Sequence, residues 1–229
     1  MIPLNDIYVL LPAYNEAGKI REVILGLQQE GLLNVVVIDD GSADDTVEQA
    51  KSLSDVRLVR HFVNRGAGAA IQTGIELARR NGWPHVALMD ADGQHDPKDI
   101  LQLQAKMSET KCDLVIGSRF MKKNEEIPKT RIVFNFIANR MTNLFCKKNY
   151  SDSQSGLRLL NRNAIENLNL QIDGFGFCSE MIIKAERAGL QIEETGISVR
   201  YTDYSIRKGQ DFQMGINTAF NFLWNILFK

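Results

Sequence analysis

A chain of 229 residues, 44% hydrophobic and 24% charged, can bury one sizeable core and shows no sign of a second one. A net charge of −1 with a pI near 6.3 excludes a nucleic-acid binder that works by bulk electrostatics. An anionic ligand must then be held by local Arg and Lys side chains or by backbone amides. Short β-branched apolar runs predict strands over 7–11, 35–38, 56–60, 86–89 and 114–116. Helical patterns over 18–29, 44–52, 67–80 and 97–108 lie between them, with Pro97 at a first helical position behind Asp96 as cap. Strands buried on both faces and joined by crossover helices imply an α/β domain with a mostly parallel sheet.

In such a sheet, ligands gather outside the carboxyl ends of the strands, and the polar motifs of this chain stand there. Leu11 is followed by Pro12-Ala13-Tyr14-Asn15-Glu16, and Ile38 by Asp39-Asp40-Gly41-Ser42. The third strand leads to Asn64-Arg65-Gly66-Ala67-Gly68, Met89 to Asp90-Ala91-Asp92-Gly93-Gln94-His95, and Ile116 to Gly117-Ser118-Arg119-Phe120. Caps and turns explain each motif singly; five together on one rim point to a binding site.

Asp90-x-Asp92 at a strand end is suited to Mg²⁺, which keeps water and substrate phosphates beside one or two protein carboxylates. A helix-loop-helix calcium site does not fit, because His95 stands where that loop needs Gly and Leu101 where it needs Glu. The Gly66-Ala67-Gly68 loop lacks the third glycine of a dinucleotide fingerprint, and no P-loop occurs anywhere in the chain. Close backbone approach to a ligand at a helix start, or a plain loop-to-helix turn, are the readings left for it. His95 reads equally as a diphosphate donor or a structural residue, whereas His61 and His85 read as structural because neither sits in a polar cluster. Glu180 opens the amphipathic stretch 180–187, as a solvated helix start or as a base.

Cys112, Cys146 and Cys178 are odd in number and lack metal-ligand spacing, so they read as reduced thiols of a cytoplasmic protein. The first apolar run stops at Pro12, which disfavours a secretory signal, and no run reaches the ~18 residues of a membrane span. Two segments are apolar on nearly all sides: the helix around Ile132, Phe136 and Met141, and residues 217–229. Core packing, a contact between copies in a homo-oligomer, or peripheral membrane contact would each account for them.

The ordered motifs, together with Asp152-Ser153-Gln154-Ser155-Gly156-Leu157-Arg158 and Ser179-Glu180, resemble the family 2 glycosyltransferases of the GT-A fold, in the branch that glycosylates dolichyl and polyprenyl phosphates. The resemblance covers roughly residues 5–208, implying a catalytic domain over 1–208 and a terminal amphipathic helix over 209–229, packed on the domain or at the membrane surface. It implies an inverting, metal-dependent transfer from a UDP- or GDP-sugar to a polyprenyl or dolichyl phosphate, with Mg²⁺ or Mn²⁺ as cofactor. Peripheral contact with the inner face of a membrane would follow. By the same resemblance, Pro12, Tyr14, Glu16, Asp39, Asp40, Ser42, Gly66 and Asp90 serve the donor nucleotide, and Asp40 contacts base or ribose. Asp90, Asp92 and Gln94 hold the cation, with Asp92 and Glu180 as catalytic candidates. Arg119, Arg131, Asn135, Arg207 and Lys208 face the acceptor phosphate; Asn135 replaces a Ser of one archaeal-type pattern. A hydroxyl acceptor, a nucleotidyltransferase and a non-catalytic sugar-nucleotide binder are the rivals. The nucleotidyltransferase is disfavoured by the absence of a basic glycine-rich loop after the first strand, and the inert binder by the intact Asp90, Asp92 and Gln94.

Overall fold

The computed structural model describes residues 1–122 and 129–200. Its seven strands are β1 (Ile7–Ala13), β2 (Asn34–Asp39), β3 (Val56–Arg60), β4 (His85–Leu88), β5 (Leu114–Ser118), β6 (Arg158–Asn161) and β7 (Ile192–Gly196). The helices are α1 (Ile20–Gln29), α2 (Thr46–Lys51), α3 (Ala67–Arg80), α4 (Lys98–Thr110), α5 (Lys129–Asn143), α6 (Arg162–Asn167) and α7 (Phe177–Arg187). The five predicted strands and four predicted helices are all present. Asp96 caps α4 as expected, its carboxylate accepting from the Lys98 amide at 3.0 Å, with Pro97 in helical geometry between them.

One sheet has the order β3-β2-β1-β4-β6-β5-β7, and every neighbouring pair is parallel except those made by β6. Alternation along the strands sorts the core into two layers. Leu10, Val36 and Ile38 face α3, α6 and α7, while Val9, Leu11, Val35 and Val37 face α1, α2 and α4. Both faces are therefore covered, which is why the strands read as unbroken apolar runs. The antiparallel β6 has a consequence for function: it starts at the rim where its parallel neighbours end. The 152–157 segment is thereby delivered beside the loops that follow β4 and β5.

Among the described residues, no helix is long and apolar enough to cross a membrane. The predicted terminal helix over 209–229, and Arg207 and Lys208, lie outside the described residues.

Candidate active site

The first two rim loops are stitched together by backbone donors and side-chain acceptors. The amide of Asn15 donates to Ser42 Oγ at 2.9 Å, that of Glu16 to Thr46 Oγ1 at 2.7 Å, and that of Ala43 to Asn15 Oδ1 at 2.8 Å. Ser42 is thus a loop clamp, while Tyr14, 44% exposed, stands at the mouth. Pro12 is partly buried within β1. Asp39 is fully buried; Arg60 Nε lies 3.1 Å from its carboxylate and the Ser42 amide donates to it. Asp40 accepts from the amides of Arg65 at 3.0 Å and Gly66 at 2.6 Å and meets His61 Nδ1 at 2.7 Å. Through these bonds Asp40 holds the glycine loop. His61 also reaches Thr73 Oγ1 at 2.9 Å, so it does belong to a polar cluster, in a structural role.

The glycines of the 66–68 loop are required by the packing of this chain. A Cβ on Gly66 would collide with the carbonyl of Asp173, and one on Gly68 with that of Ile172. Gly66 also has φ +107°, a backbone that L side chains rarely adopt. The close approach expected of this loop is therefore made to residues 172–174, about a hundred positions away in sequence, and the Gly66 amide is already bonded to Asp40.

Asp90 and Asp92 emerge from β4 into the centre of the rim. Asp90 remains half-exposed, with His95 Nε2 3.5 Å from its carboxylate. Burial works to raise its pKa, but the His95 ring and the charges of Arg119 and Arg158 hold it below the usual carboxylate range. Asp92 moves the other way: burial, then the charge of Asp90, pushes it up to about 6 against the Gln94 amide bond, and Glu16 adds to the rise. The charge of Glu16, on the loop after β1, is thus felt at Asp92. A Cβ on Gly156 would overlap the Asp90 carboxylate, so the 152–157 segment leaves that carboxylate its room.

These residues fit a divalent cation, since a crowded carboxylate pair with one member titrating high gains most from a nearby positive charge. Among the described residues no group of three or more His, Cys, Asp or Glu side chains is placed to hold a metal ion. Gln94 orients Asp92: its Nε2 donates to Asp92 Oδ2 at 2.7 Å and its amide to Oδ1 at 2.9 Å.

Two further predicted site residues are engaged with other parts of the chain. Arg119, on the loop after β5, is buried in a bidentate pair with Asp152, with Nε–Oδ2 and Nη2–Oδ1 both 2.7 Å. Its amide also donates to Asp152 at 2.9 Å. The pair with Asp152 fixes the guanidinium on the loop after β5. Glu180, buried near the start of α7, accepts from the amides of Gln171 at 2.8 Å and Ile172 at 2.9 Å and pairs with Lys184 Nζ at 2.7 Å. Both oxygens take part in tying the 170–172 strap to α7.

On α5, Arg131 and Asn135 stand one turn apart and share a face. The Arg131 side chain lies outside the described residues. Asn135 Nδ2 is buried with no hydrogen-bond partner among them. One turn further on, Asn139 Nδ2 donates to the Ser151 carbonyl at 2.7 Å and its Oδ1 accepts from the Ser153 amide at 2.8 Å.

The residues missed by sequence reasoning are the ones that hold others in place. Glu194 on β7 accepts from the Ser151 and Asp152 amides at 3.0 and 3.2 Å, and so orients the partner of Arg119. Arg158 is fully buried, with Nε and Nη2 on the carbonyls of Ser155 and Ser153. The run Asp152–Arg158 was visible as a motif, but its roles depend on strands far away in the chain.

The chain matches the model for glycosyl transferase family 2 over residues 8–168. It is 32% identical over 237 residues to a UDP-N-acetylglucosamine–dolichyl-phosphate N-acetylglucosaminyltransferase of Methanococcus voltae, covering 95% of this chain and 94% of the relative. It is 27% identical to a polyprenol monophosphomannose synthase of Mycolicibacterium smegmatis, over 90% of this chain and 82% of the other. A similar fold, with TM-score 0.72 at 21% identity, occurs in a glucosyl-3-phosphoglycerate synthase from Mycobacterium tuberculosis solved with Mn²⁺, UDP and its product; the match covers 96% of this chain and 78% of that one. With its motifs on the rim of a mostly parallel sheet, this chain belongs to glycosyl transferase family 2 and is a glycosyltransferase.

Proposed function

We propose that the enzyme transfers a sugar from a UDP- or GDP-sugar to a polyprenyl or dolichyl phosphate, with inversion and with the help of Mg²⁺ or Mn²⁺. The observation that carries the cation is the crowded Asp90–Asp92 pair, with Asp92 pushed up to about 6. When bound there, the ion would offset the charge that builds on the departing diphosphate. Asp90 and Asp92 would hold it, Gln94 keeping Asp92 in position. Tyr14, at the mouth, and Glu16, beside Asp92, would face the nucleoside and diphosphate, over a floor that Asp39, Asp40 and Ser42 keep in shape.

A phosphate acceptor suits this site better than a hydroxyl. A phosphate monoester with its second pKa near ~6 is already largely a dianion at neutral pH and needs no base. A hydroxyl needs one positioned on the opposite face of the anomeric carbon, and Glu180, the candidate, is tied to Gln171, Ile172 and Lys184. Attack by the phosphate oxygen forms the new C1–O bond as the bond to the diphosphate breaks, inverting the anomeric centre. Arg131, Asn135 and the basic pair Arg207 and Lys208 are the groups proposed to receive the phosphate. The Methanococcus voltae and Mycolicibacterium smegmatis relatives, named for dolichyl-phosphate and polyprenol acceptors, support this reading.

The test is nucleoside diphosphate release from a panel of UDP- and GDP-sugars with Mn²⁺, with and without polyprenyl phosphate. Release that requires polyprenyl phosphate is expected with at least one donor. Release at the same rate without it would overturn the acceptor.

A further inference from the structure

Phe62 and Val63, in the turn that follows β3, are fully and 65% exposed. A lone exposed apolar residue needs no explanation, but these two are adjacent and stand on a fixed turn. His61 is pinned between Asp40 and Thr73, and the backbone of Val63 lies so close to Gly41 that a Cβ there would meet it at 2.8 Å. The turn therefore presents its apolar tips in a set direction. Arg60 and Arg65 flank them, each with a side chain about half exposed beyond its contact with Asp39 or Asp173.

The position matters as much as the composition. The turn lies on the carboxyl rim that carries Asp90 and Asp92. At the far side of that rim, Phe120 and Met121 follow β5, and α5 leaves Ile132, Val133, Phe136 and Ile137 exposed. β3 and β5 are five strand spacings apart, roughly 24 Å. The catalytic carboxylates thus lie between two apolar contacts.

We infer that the 61–65 turn inserts Phe62 and Val63 into the surface of an anionic bilayer, with Arg60 and Arg65 at the level of the headgroups. Two apolar tips between cations match the demands of a membrane interface, where apolar groups enter the acyl boundary and guanidinium groups meet anionic lipid. A protein partner would need some ~20–30 residues a side, far more than this turn offers. The inference rests on the polyprenyl-phosphate reading, which puts the acceptor in a bilayer; contact at both ends of the rim would hold the site against the headgroup layer.

The experiment is co-sedimentation of the full chain with vesicles of phosphatidylglycerol and phosphatidylcholine that contain no polyprenyl phosphate. Phe62→Ser/Val63→Ser is expected to weaken vesicle binding by at least about tenfold, while UDP raises the thermal midpoint of both proteins equally. In a Phe62→Trp variant, the emission of the new indole is expected to shift to the blue on adding the vesicles. Equal sedimentation of the double variant and the parent, or an unshifted indole, would overturn the inference, as would a loss of self-association in place of vesicle binding. A parent that binds these vesicles through the turn yet transfers no sugar to polyprenyl phosphate would sink the acceptor assignment and leave the docking turn standing.

Discussion

At Gly156 the missing side chain is as informative as any that is present. The Asp90 carboxylate fills the place a Cβ would take, so the smallest substitution acts directly on the cation site. Gly156→Ala is expected to lower Mn²⁺ affinity by at least about tenfold, the cost typical of displacing the support of a metal ligand. Titration of Mn²⁺ by electron paramagnetic resonance measures it, and unchanged affinity would detach Asp90 from the ion. Glu180 makes the opposite case, because a carboxylate with a catalytic look has a structural duty. Glu180→Gln keeps the shape but weakens two charge-assisted bonds to backbone amides. It is expected to cost about 1–3 kcal/mol of stability and to leave kcat within about threefold. A kcat loss of about 10²–10⁴ without a change in Tm would restore Glu180 as the general base.

Among the elements, β6 is the piece that turns a parallel sheet into this site. Its antiparallel entry brings Asp152 against Arg119 and Gly156 against Asp90. Asp152→Ala would leave the guanidinium of Arg119 buried beside an empty place, at an expected cost of about 3–5 kcal/mol. Adding Arg119→Met should recover part of that loss in urea unfolding, since the unpaired charge is then gone. An additive double variant would show that the two residues are not coupled. This strand was not legible in the sequence, because four residues, Arg158-Leu159-Leu160-Asn161, carry too little pattern to announce a strand. β1, β2, β4 and β5 were legible because each is largely buried and followed by a polar motif, and the half-exposed edge strand β3 was legible from its Val56, Leu58 and Val59. The packing that requires the glycines was equally out of sight: the backbone that demands Gly66 and Gly68 belongs to residues 172–174. Sequence order marks which residues reach the rim; the partners each of them meets there are supplied by the fold. The bonds of Arg119 to Asp152, Gln94 to Asp92 and Glu180 to the 171–172 amides are of this kind.

For the whole molecule, two helical layers cover a seven-stranded sheet and leave its carboxyl rim as the working edge. The end of the described chain returns to this edge: the Arg200 amide donates to the Gln94 carbonyl at 2.9 Å, and Val199 bridges to His95. A net charge of −1 gives the molecule no general attraction for anions, so the proposed binding of a diphosphate and a lipid phosphate would rest on local groups at this edge. The most direct test of the proposed mechanism is sugar transfer to polyprenyl phosphate by chelator-stripped enzyme, followed as Mn²⁺ is added back. Transfer is expected to vanish on stripping, to return with Mn²⁺, and to stay absent in Asp92→Ala at any Mn²⁺ concentration. Undiminished transfer by the stripped enzyme, or a normal response from Asp92→Ala, would contradict it.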